Sequence, residues 1–157
     1  MNMVSAGGLS SALSTERILL LECSTKKEAL EELIRCLAQA PEVRDPDELR
    51  RGIFHREELM STGIGMGIAV PHVRLASVDK PVMCVGICRN PVTDYESLDD
   101  QPVRIILMIA AGKDQHAQYL RLLSSVSARL KDEHLRNALV DAPDAETVYR
   151  LLTEQNR

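Results

Sequence analysis

Short apolar runs separated by amphipathic stretches predict strands that alternate with helices along this chain. The runs that we predict as buried strands are 18–21, 68–70, 82–88 and 103–111. Each run is too short for a typical helix and is bounded by turn-forming or polar residues. Helices that separate strands in sequence pack on the faces of a sheet, so this order favours an α/β fold.

Side-chain caps predict where the first helices begin. Thr25 with Glu28 forms a capping box before a stretch whose apolar positions recur at helical spacing. Asp45 followed by Pro46 is a second start signal, and this helix should end before Gly63. The apolar positions that mark its buried side are Leu49, Ile53 and Phe54.

Three more helices are predicted in the last third of the chain. The first follows Gly112, which ends the strand 103–111. The apolar positions that predict its buried face are Leu120, Leu123, Val126 and Leu130. Asp132 caps a short helix that extends to about residue 140, and Pro143-Asp144 starts the last helix.

Composition and charge indicate one globular domain. The chain has 157 residues, of which 45% are hydrophobic and 27% charged, which suits a single domain with its own core. We expect residues 1–8 to be a flexible N-terminus and residues 9–157 to form the domain. The net charge of −4 and the lack of a basic block argue against nucleic acid as a partner. With no signal-peptide pattern and no apolar run that could span a bilayer, we expect a cytoplasmic protein without membrane insertion.

The cysteines predict packing rather than covalent or metal chemistry. Cys23, Cys36, Cys84 and Cys88 each lie in an apolar segment, and no pair has CxxC spacing. We therefore predict buried free thiols. No histidine lies at ligand spacing from Cys84 and Cys88, so no metal site is expected.

The stretch 61–72 carries the strongest chemical signal. Glycines occupy alternate positions within it, and it ends in Pro71 and His72. Without side chains, the glycines let backbone N–H groups approach a bound group closely. Pro71 should stop the preceding strand, which leaves His72 at the strand end beside this loop. An imidazole there could act as a nucleophile, and nearby N–H groups could hold an oxyanion. The glycine spacing fits neither a Walker A loop nor a dinucleotide fingerprint.

The residues from Ser61 to His72, Ser-Thr-Gly-Ile-Gly-Met-Gly-Ile-Ala-Val-Pro-His, resemble the active-site signature of a known family. This is the fructose/mannitol type of enzyme IIA domain of the bacterial phosphotransferase system, and the closest resemblance is to its nitrogen-regulatory members. The similarity extends over residues 9–157. Other segments that carry it are 9–13, 24–30, Arg56-Glu57 and 123–130. It implies a single domain with a mixed β-sheet sandwiched between α-helices. No cofactor is expected.

The resemblance also implies roles for individual residues. His72 would accept a phosphoryl group, through Nε2, from a histidine-containing phosphocarrier protein. Arg56 would help to hold that group, because a guanidinium binds phosphate oxygens in a fork and stays charged. The predicted phosphate-binding residues of the loop are Ser61, Thr62, Gly63, Gly65 and Gly67. Such a protein would be a phosphotransferase component with a phosphohistidine intermediate. We expect Glu57 and Glu58, by contrast, to be solvated.

The sequence departs from the family pattern at two positions. The family usually has a second histidine early in the helix after the last strand, and here Tyr119 aligns with it. Either Tyr119 replaces that histidine as a neutral hydrogen-bond partner, or His116 reaches the site from one turn earlier. Val73 replaces the usual glycine after the histidine, and its bulk is expected to narrow the partner's approach.

Three functions are compatible with these residues. We favour a free-standing nitrogen-regulatory phosphotransfer protein whose phosphorylation state decides which protein it binds. The first alternative is a sugar-specific component that passes phosphate to a fructose or mannitol transporter. The second is a binding module that kept the fold and lost efficient transfer, with Tyr119 and Val73 as its signs. A homodimer is possible in each case.

Overall fold

A mixed six-stranded sheet forms the centre of the computed structural model, which describes residues 9–154. Its strands are β1 (Ile18–Leu21), β2 (Gly63–Gly65), β3 (Ile68–Ala69), β4 (His72–Arg74), β5 (Val82–Val92) and β6 (Val103–Ala111). The strand order is β1-β5-β6-β3-β2, and β4 also pairs with β6. The predicted flexible segment 1–8 and the last three positions of the predicted domain, 155–157, lie outside the described residues.

Four of the five longest helices among residues 9–154 begin at their predicted start signals, and the fifth follows Gly112 as expected, without a side-chain cap. The five are α1 (Lys26–Leu37), α2 (Pro46–Leu59), α3 (His116–Leu130), α4 (Glu133–Asp141) and α5 (Ala145–Thr153). At the caps of four of these helices, a side-chain oxygen accepts a hydrogen bond from a first-turn N–H. The capping residues are Thr25, Asp45, Asp132 and Asp144. Within residues 9–154, no helix has both the length and the apolar character needed to cross a membrane.

Apolar clusters cover both faces of the sheet, and this confirms the predicted sandwich. Successive side chains of a strand point to opposite faces, so β5 contributes to both clusters. Met83 and Val85 pack with α3, α4 and α5 on one face. Cys84 and Cys88 pack with α1 and α2 on the other face, as predicted for buried thiols. Cys23, which precedes α1, and Cys36, in its last turn, are half-buried rather than buried.

The buried face of α3 differs from the prediction. Tyr119 and Leu122 are buried in place of Leu120 and Leu123. Leu120 is 48% exposed, and Leu123 packs only at the edge of the cluster. Tyr119, which the sequence assigns to the functional site, is therefore also part of the buried face of α3. Its ring lies close to His72 at the start of β4.

The strand that pairs with β6 on the side away from β5 is interrupted at Val70 and Pro71. β3 and β4 both pair parallel with β6, and the register is the same on either side of the interruption. Although Pro71 has no N–H to donate, its carbonyl accepts from Ile109 N at 3.0 Å, so the ladder resumes at once. The sequence predicts His72 at the end of a strand. His72 instead begins β4, opposite Ile109.

Candidate functional site

The ring of His72 is held by a backbone hydrogen bond. Its Nδ1 lies 2.7 Å from the carbonyl oxygen of Val70. A carbonyl oxygen can only accept, so Nδ1 must carry the proton. In the neutral ring the lone pair is then on Nε2. The side chain is half-buried, and its geometry leaves Nε2 as the nucleophilic atom.

Tyr119 packs against this ring. The two ring centroids are 5.6 Å apart with a tilt of 48°. Tyr119 is 6% exposed, and burial raises its pKa to about 12, although the charges of Arg74 and Arg56 act in the opposite direction. The phenol is therefore neutral at physiological pH and able to donate a hydrogen bond. His116, the other candidate for the second position, is exposed at the start of α3.

Arg74 is a candidate site residue that sequence reasoning missed. It follows His72 by two positions in β4, so both side chains lie on the same face of the strand. Its guanidinium carbon lies 5.9 Å from the centroid of the Tyr119 ring. The alternation of side chains along a strand would have identified Arg74, had β4 been predicted.

Arg56 lies in the last turn of α2, where its Nη1 donates to the carbonyl oxygen of Met60 at 3.0 Å. Its charge lowers the pKa of Tyr119 in the same sense as that of Arg74. The positive charges of two different elements therefore act on the phenol that packs against His72. The structure thus assembles a nucleophilic nitrogen, a neutral hydroxyl and guanidinium cations, a set suited to a dianionic phosphoryl group.

Glu57, expected to be solvated, is instead 8% exposed. Its Oε1 lies 3.1 Å from Lys26 Nζ and accepts from Thr62 N at 3.3 Å. The Thr62 hydroxyl donates to Glu57 Oε2 and lies 2.7 Å from the hydroxyl of Tyr95. Burial and the charge of Glu57 together hold the pKa of Tyr95 well above its usual range. These side chains form a closed polar network beside the site, while Glu58 is exposed as predicted.

The glycines of the stretch build a tight hairpin between β2 and β3. Gly65, Met66 and Gly67 have φ values of 98°, 58° and 76°, which lie in the left-handed region that glycine tolerates best. At Gly63, an added Cβ would lie 2.2 Å from the carbonyl oxygen of Glu96. The hairpin turn and its close approach to the neighbouring loop therefore account for the glycines.

The predicted phosphate-binding loop already has internal hydrogen bonds. Ser61 Oγ donates to Glu96 O at 2.6 Å and accepts from Gly63 N at 3.3 Å. The carbonyl of Gly67 accepts from the first residues of β6. The Thr62 side chain is 4% exposed and faces the closed network. Phosphate binding by this loop thus stays a prediction, and the side chain of Thr62 gives it no support.

Val73 lies on the face of β4 opposite His72. Its Cγ2 packs over Gly52 of α2, where an added Cβ would lie only 3.0 Å away. A glycine on α2 thus makes room for the valine on β4. The expectation that Val73 narrows the approach to His72 does not agree with this placement, because successive residues of a strand point to opposite sides.

A metal site is also not apparent. Within residues 9–154, no cluster of three or more histidine, cysteine, aspartate or glutamate side chains is arranged to hold a metal ion.

Comparisons with known proteins identify the family of the chain. Residues 11–155 match the family model described as "Phosphoenolpyruvate-dependent sugar phosphotransferase system, EIIA 2". A nitrogen regulatory protein of Pseudomonas aeruginosa is 32% identical over 130 residues, which cover 83% of this chain and 84% of that protein. A fructose-specific EIIA component of Haloferax volcanii is 33% identical over 134 residues, with 83% and 84% covered. A fructose-specific EIIABC component of Bacillus subtilis is 34% identical over 137 residues. These residues are 87% of this chain and only 21% of that protein.

Solved structures share the fold. The nitrogen regulatory protein IIA-Ntr of Neisseria meningitidis superposes with a TM-score of 0.84 at 26% identity, covering 97% of this chain and 100% of that one. Enzyme IIA of mannitol from Escherichia coli, in a complex with phosphorylated enzyme IIB, has a TM-score of 0.76 at 26% identity. It covers 91% of this chain and 98% of its own.

Proposed function

Since the chain belongs to the EIIA 2 family of the phosphoenolpyruvate-dependent sugar phosphotransferase system, we propose that it accepts a phosphoryl group on Nε2 of His72. The donor would be a histidine-containing phosphocarrier protein. The observation that carries the proposal is the hydrogen bond from Nδ1 of His72 to the carbonyl of Val70. It fixes the tautomer whose lone pair is on Nε2, the atom that must attack.

The transfer would proceed between two imidazoles. The Nε2 lone pair of His72 attacks phosphorus, a new P–N bond forms, and the P–N bond of the donor breaks with its electron pair returning to the donor ring. His72 keeps its Nδ1 proton, so the contact with Val70 persists in the phosphorylated protein. Arg56 and Arg74 would offset the negative charge of the bound group, and Tyr119 would donate to one of its oxygens.

Within this family we favour the nitrogen-regulatory role. It is supported by the Neisseria meningitidis structure, which matches this chain almost from end to end. Phosphorylation would place a dianionic phosphoryl group on the surface around His72, and this change of charge and shape can alter which partner binds there. A sugar-transport role is the alternative, because a fructose-specific relative is about as similar in sequence as the nitrogen regulatory protein of Pseudomonas aeruginosa. Delivery of phosphate from His72 to a sugar-specific enzyme IIB domain would favour that alternative.

A binding module with impaired transfer is the candidate of a different class. It is favoured by Tyr119, which packs against His72 as a neutral phenol where the family usually has an imidazole that can carry a charge. Such a module would bind its partners regardless of phosphate. It is distinguished from the main proposal by an unmodified His72 in the presence of an active phosphocarrier.

Phosphate acceptance tests the proposal directly. The protein is incubated with phosphoenolpyruvate, enzyme I and the phosphocarrier, and its intact mass is measured. We expect the gain of one acid-labile phosphoryl group, which His72→Ala abolishes and which a matched control, His134→Ala at an exposed position of α4, retains. A wild-type protein that gains no phosphate from several cognate donors would refute the proposal, and so would a gain that survives in His72→Ala.

A further inference from the structure

A chain of hydrogen bonds connects the buried carboxylate of Glu57 with the imidazole of His72. Glu57 Oε1 accepts from Thr62 N at 3.3 Å. The carbonyl of Thr62 accepts from Val70 N at 3.0 Å. The carbonyl of Val70 then lies 2.7 Å from His72 Nδ1. These three hydrogen bonds connect the end of α2, through Thr62 and Val70, to His72, the first residue of β4.

The starting point of this chain is itself fixed from several sides. Lys26 Nζ lies 3.1 Å from Glu57 Oε1 and 4.5 Å from the centroid of the Tyr95 ring. The Thr62 hydroxyl binds Glu57 Oε2 and contacts the Tyr95 hydroxyl. A buried carboxylate needs such partners, because the free energy cost of removing its charge from water is otherwise large. Glu57 therefore has little freedom to move, and neither does the Thr62 amide that it binds.

We infer that Glu57 is a positioning residue for His72, acting through Thr62 and Val70, and this inference rests on the proposed function. Glu57 fixes the Thr62 backbone, and Thr62 fixes Val70. The Val70 carbonyl in turn selects the His72 tautomer whose Nε2 lone pair is available. Glu57 also follows Arg56 directly, so the same anchor sets the distance between the end of α2 and the histidine. Glu57 does not act on phosphate, since its carboxylate is buried and already has partners.

The tautomer of His72 provides a readout that a loss of stability alone does not change. We propose to measure the ring ¹⁵N chemical shifts of unphosphorylated protein at a pH where the ring is neutral, in wild type and in Glu57→Gln. Wild type should be almost entirely in the Nδ1–H form. Glu57→Gln should show a mixture of both tautomers, because the Val70 carbonyl is no longer held in place. The phosphorylation rate of Glu57→Gln should fall by about tenfold or more, as expected for a misplaced reacting atom.

Glu48→Gln is the matched control. Glu48 lies on the same helix and also accepts a hydrogen bond from a hydroxyl, that of Ser77, but its contact is at the opposite end of α2. Loss of the Glu48 carboxylate should leave both the His72 tautomer and the phosphorylation rate as in wild type. A folded Glu57→Gln with wild-type tautomer and rate overturns the inference, and so does a Glu48→Gln variant that changes both to the same extent.

A second pair of variants covers the case in which Glu57→Gln does not fold. Thr62→Val removes only the hydroxyl that Glu57 binds, whereas Thr62→Ser retains it. We expect Thr62→Val to change the His72 tautomer population in the same direction as Glu57→Gln, but by a smaller amount. Thr62→Ser should have the tautomer population of wild type. Equal tautomer populations in Thr62→Val, Thr62→Ser and wild type overturn the inference.

The tautomer measurement needs no phosphate donor, so it separates the inference from the proposed function. If wild type accepts phosphate but Glu57→Gln behaves as wild type, only the positioning role fails. If the tautomer shifts in Glu57→Gln while wild type takes no phosphate from any donor, the positioning role holds and the phosphotransfer proposal fails.

Discussion

The network around Glu57 and the site around His72 both consist of polar side chains, and they differ in how their charges are balanced. In the closed network, Glu57 is paired with Lys26 and bound by Thr62. We call His72, Tyr119, Arg56 and Arg74 the open site. Its two guanidinium groups form no ion pair with any carboxylate among residues 9–154. One group is saturated by the protein itself, while the other retains positive charge for an anion from outside.

Whether a charge is balanced by partners within the protein distinguishes a structural role from a role in ligand binding. A buried charge with partners on every side fixes the backbone around it and has no capacity left for a ligand. A half-exposed histidine in a site whose arginines form no ion pair, within the part of the chain that the structure describes, has that capacity. Because the saturated group holds the backbone on which the open group is built, changes in the two should affect different measured properties.

The largest effect on stability is expected in the closed network. Glu57→Ala leaves the half-buried Lys26 ammonium and the buried hydroxyl and amide of Thr62 without their partner. The free energy of unfolding should fall by about 3 kcal/mol or more, as measured by urea denaturation monitored by circular dichroism. Glu31→Ala, which breaks a more exposed pair with Arg50, should cost clearly less. Equal losses in the two variants would show that the network is not stabilising in the way its burial indicates.

The largest effect on phosphate transfer, after loss of His72, is expected from the cations of the open site. Arg56→Met and Arg74→Met should each lower the rate of phosphorylation by about 10- to 100-fold, because a fixed charge is lost where negative charge accumulates. Stability should change little in Arg74→Met, since the Arg74 side chain is exposed. Arg35→Met, which removes an exposed cation of α1, is the control for net charge. If it slows the reaction as much, the effect is long-range steering rather than binding at the site.

These expectations also show which parts of the molecule could be predicted from sequence. The strands 18–21 and 103–111 and four helix starts were predicted correctly, because apolar runs and capping side chains are local signals. His72 and Arg56 were identified by resemblance, and their roles remain predictions. The strand β4 was missed because Pro71 was taken as the end of pairing, whereas the parallel register on β6 continues beyond it.

The burial of Glu57 was missed although a signal for it existed. Leu49 and Ile53 were correctly predicted on the buried side of α2, and Glu57 follows them at the same spacing of four residues. A charged residue at that position was assumed to be solvated. Its partners Lys26 and Tyr95 are distant in sequence, so no local pattern could have shown that the charge is paired.

A smaller effect is expected from the hydroxyl of Tyr119, whose ring packs against His72. Tyr119→Phe removes one neutral donor and should lower the phosphorylation rate severalfold, less than either arginine variant. The same variant tests the pKa of about 12. Because folding raises this pKa above the usual value of 10.0, the contribution of the phenol to stability is complete below pH 10 and is lost as the pH rises toward 12.

Denaturation of wild type and Tyr119→Phe at several alkaline pH values measures this contribution. Wild type should lose stability more steeply than Tyr119→Phe between about pH 10 and pH 12, and the steps due to other buried groups cancel in the comparison. Parallel curves would mean that Tyr119 is as accessible in the folded protein as in the unfolded one, which would contradict its contact with His72.

The smallest effect on transfer is expected from Val73, although it is the immediate neighbour of His72. Its side chain packs over Gly52 on the other face of β4, so Val73→Ala should leave the phosphorylation rate unchanged while lowering the free energy of unfolding by about 1 kcal/mol. Gly52→Ala should be destabilising in the wild-type background, where the added Cβ lies 3.0 Å from Val73 Cγ2, and less so when combined with Val73→Ala. A faster phosphorylation of Val73→Ala would instead show that the valine does obstruct the partner, and that the two faces of this strand are not as independent as the alternation of side chains implies.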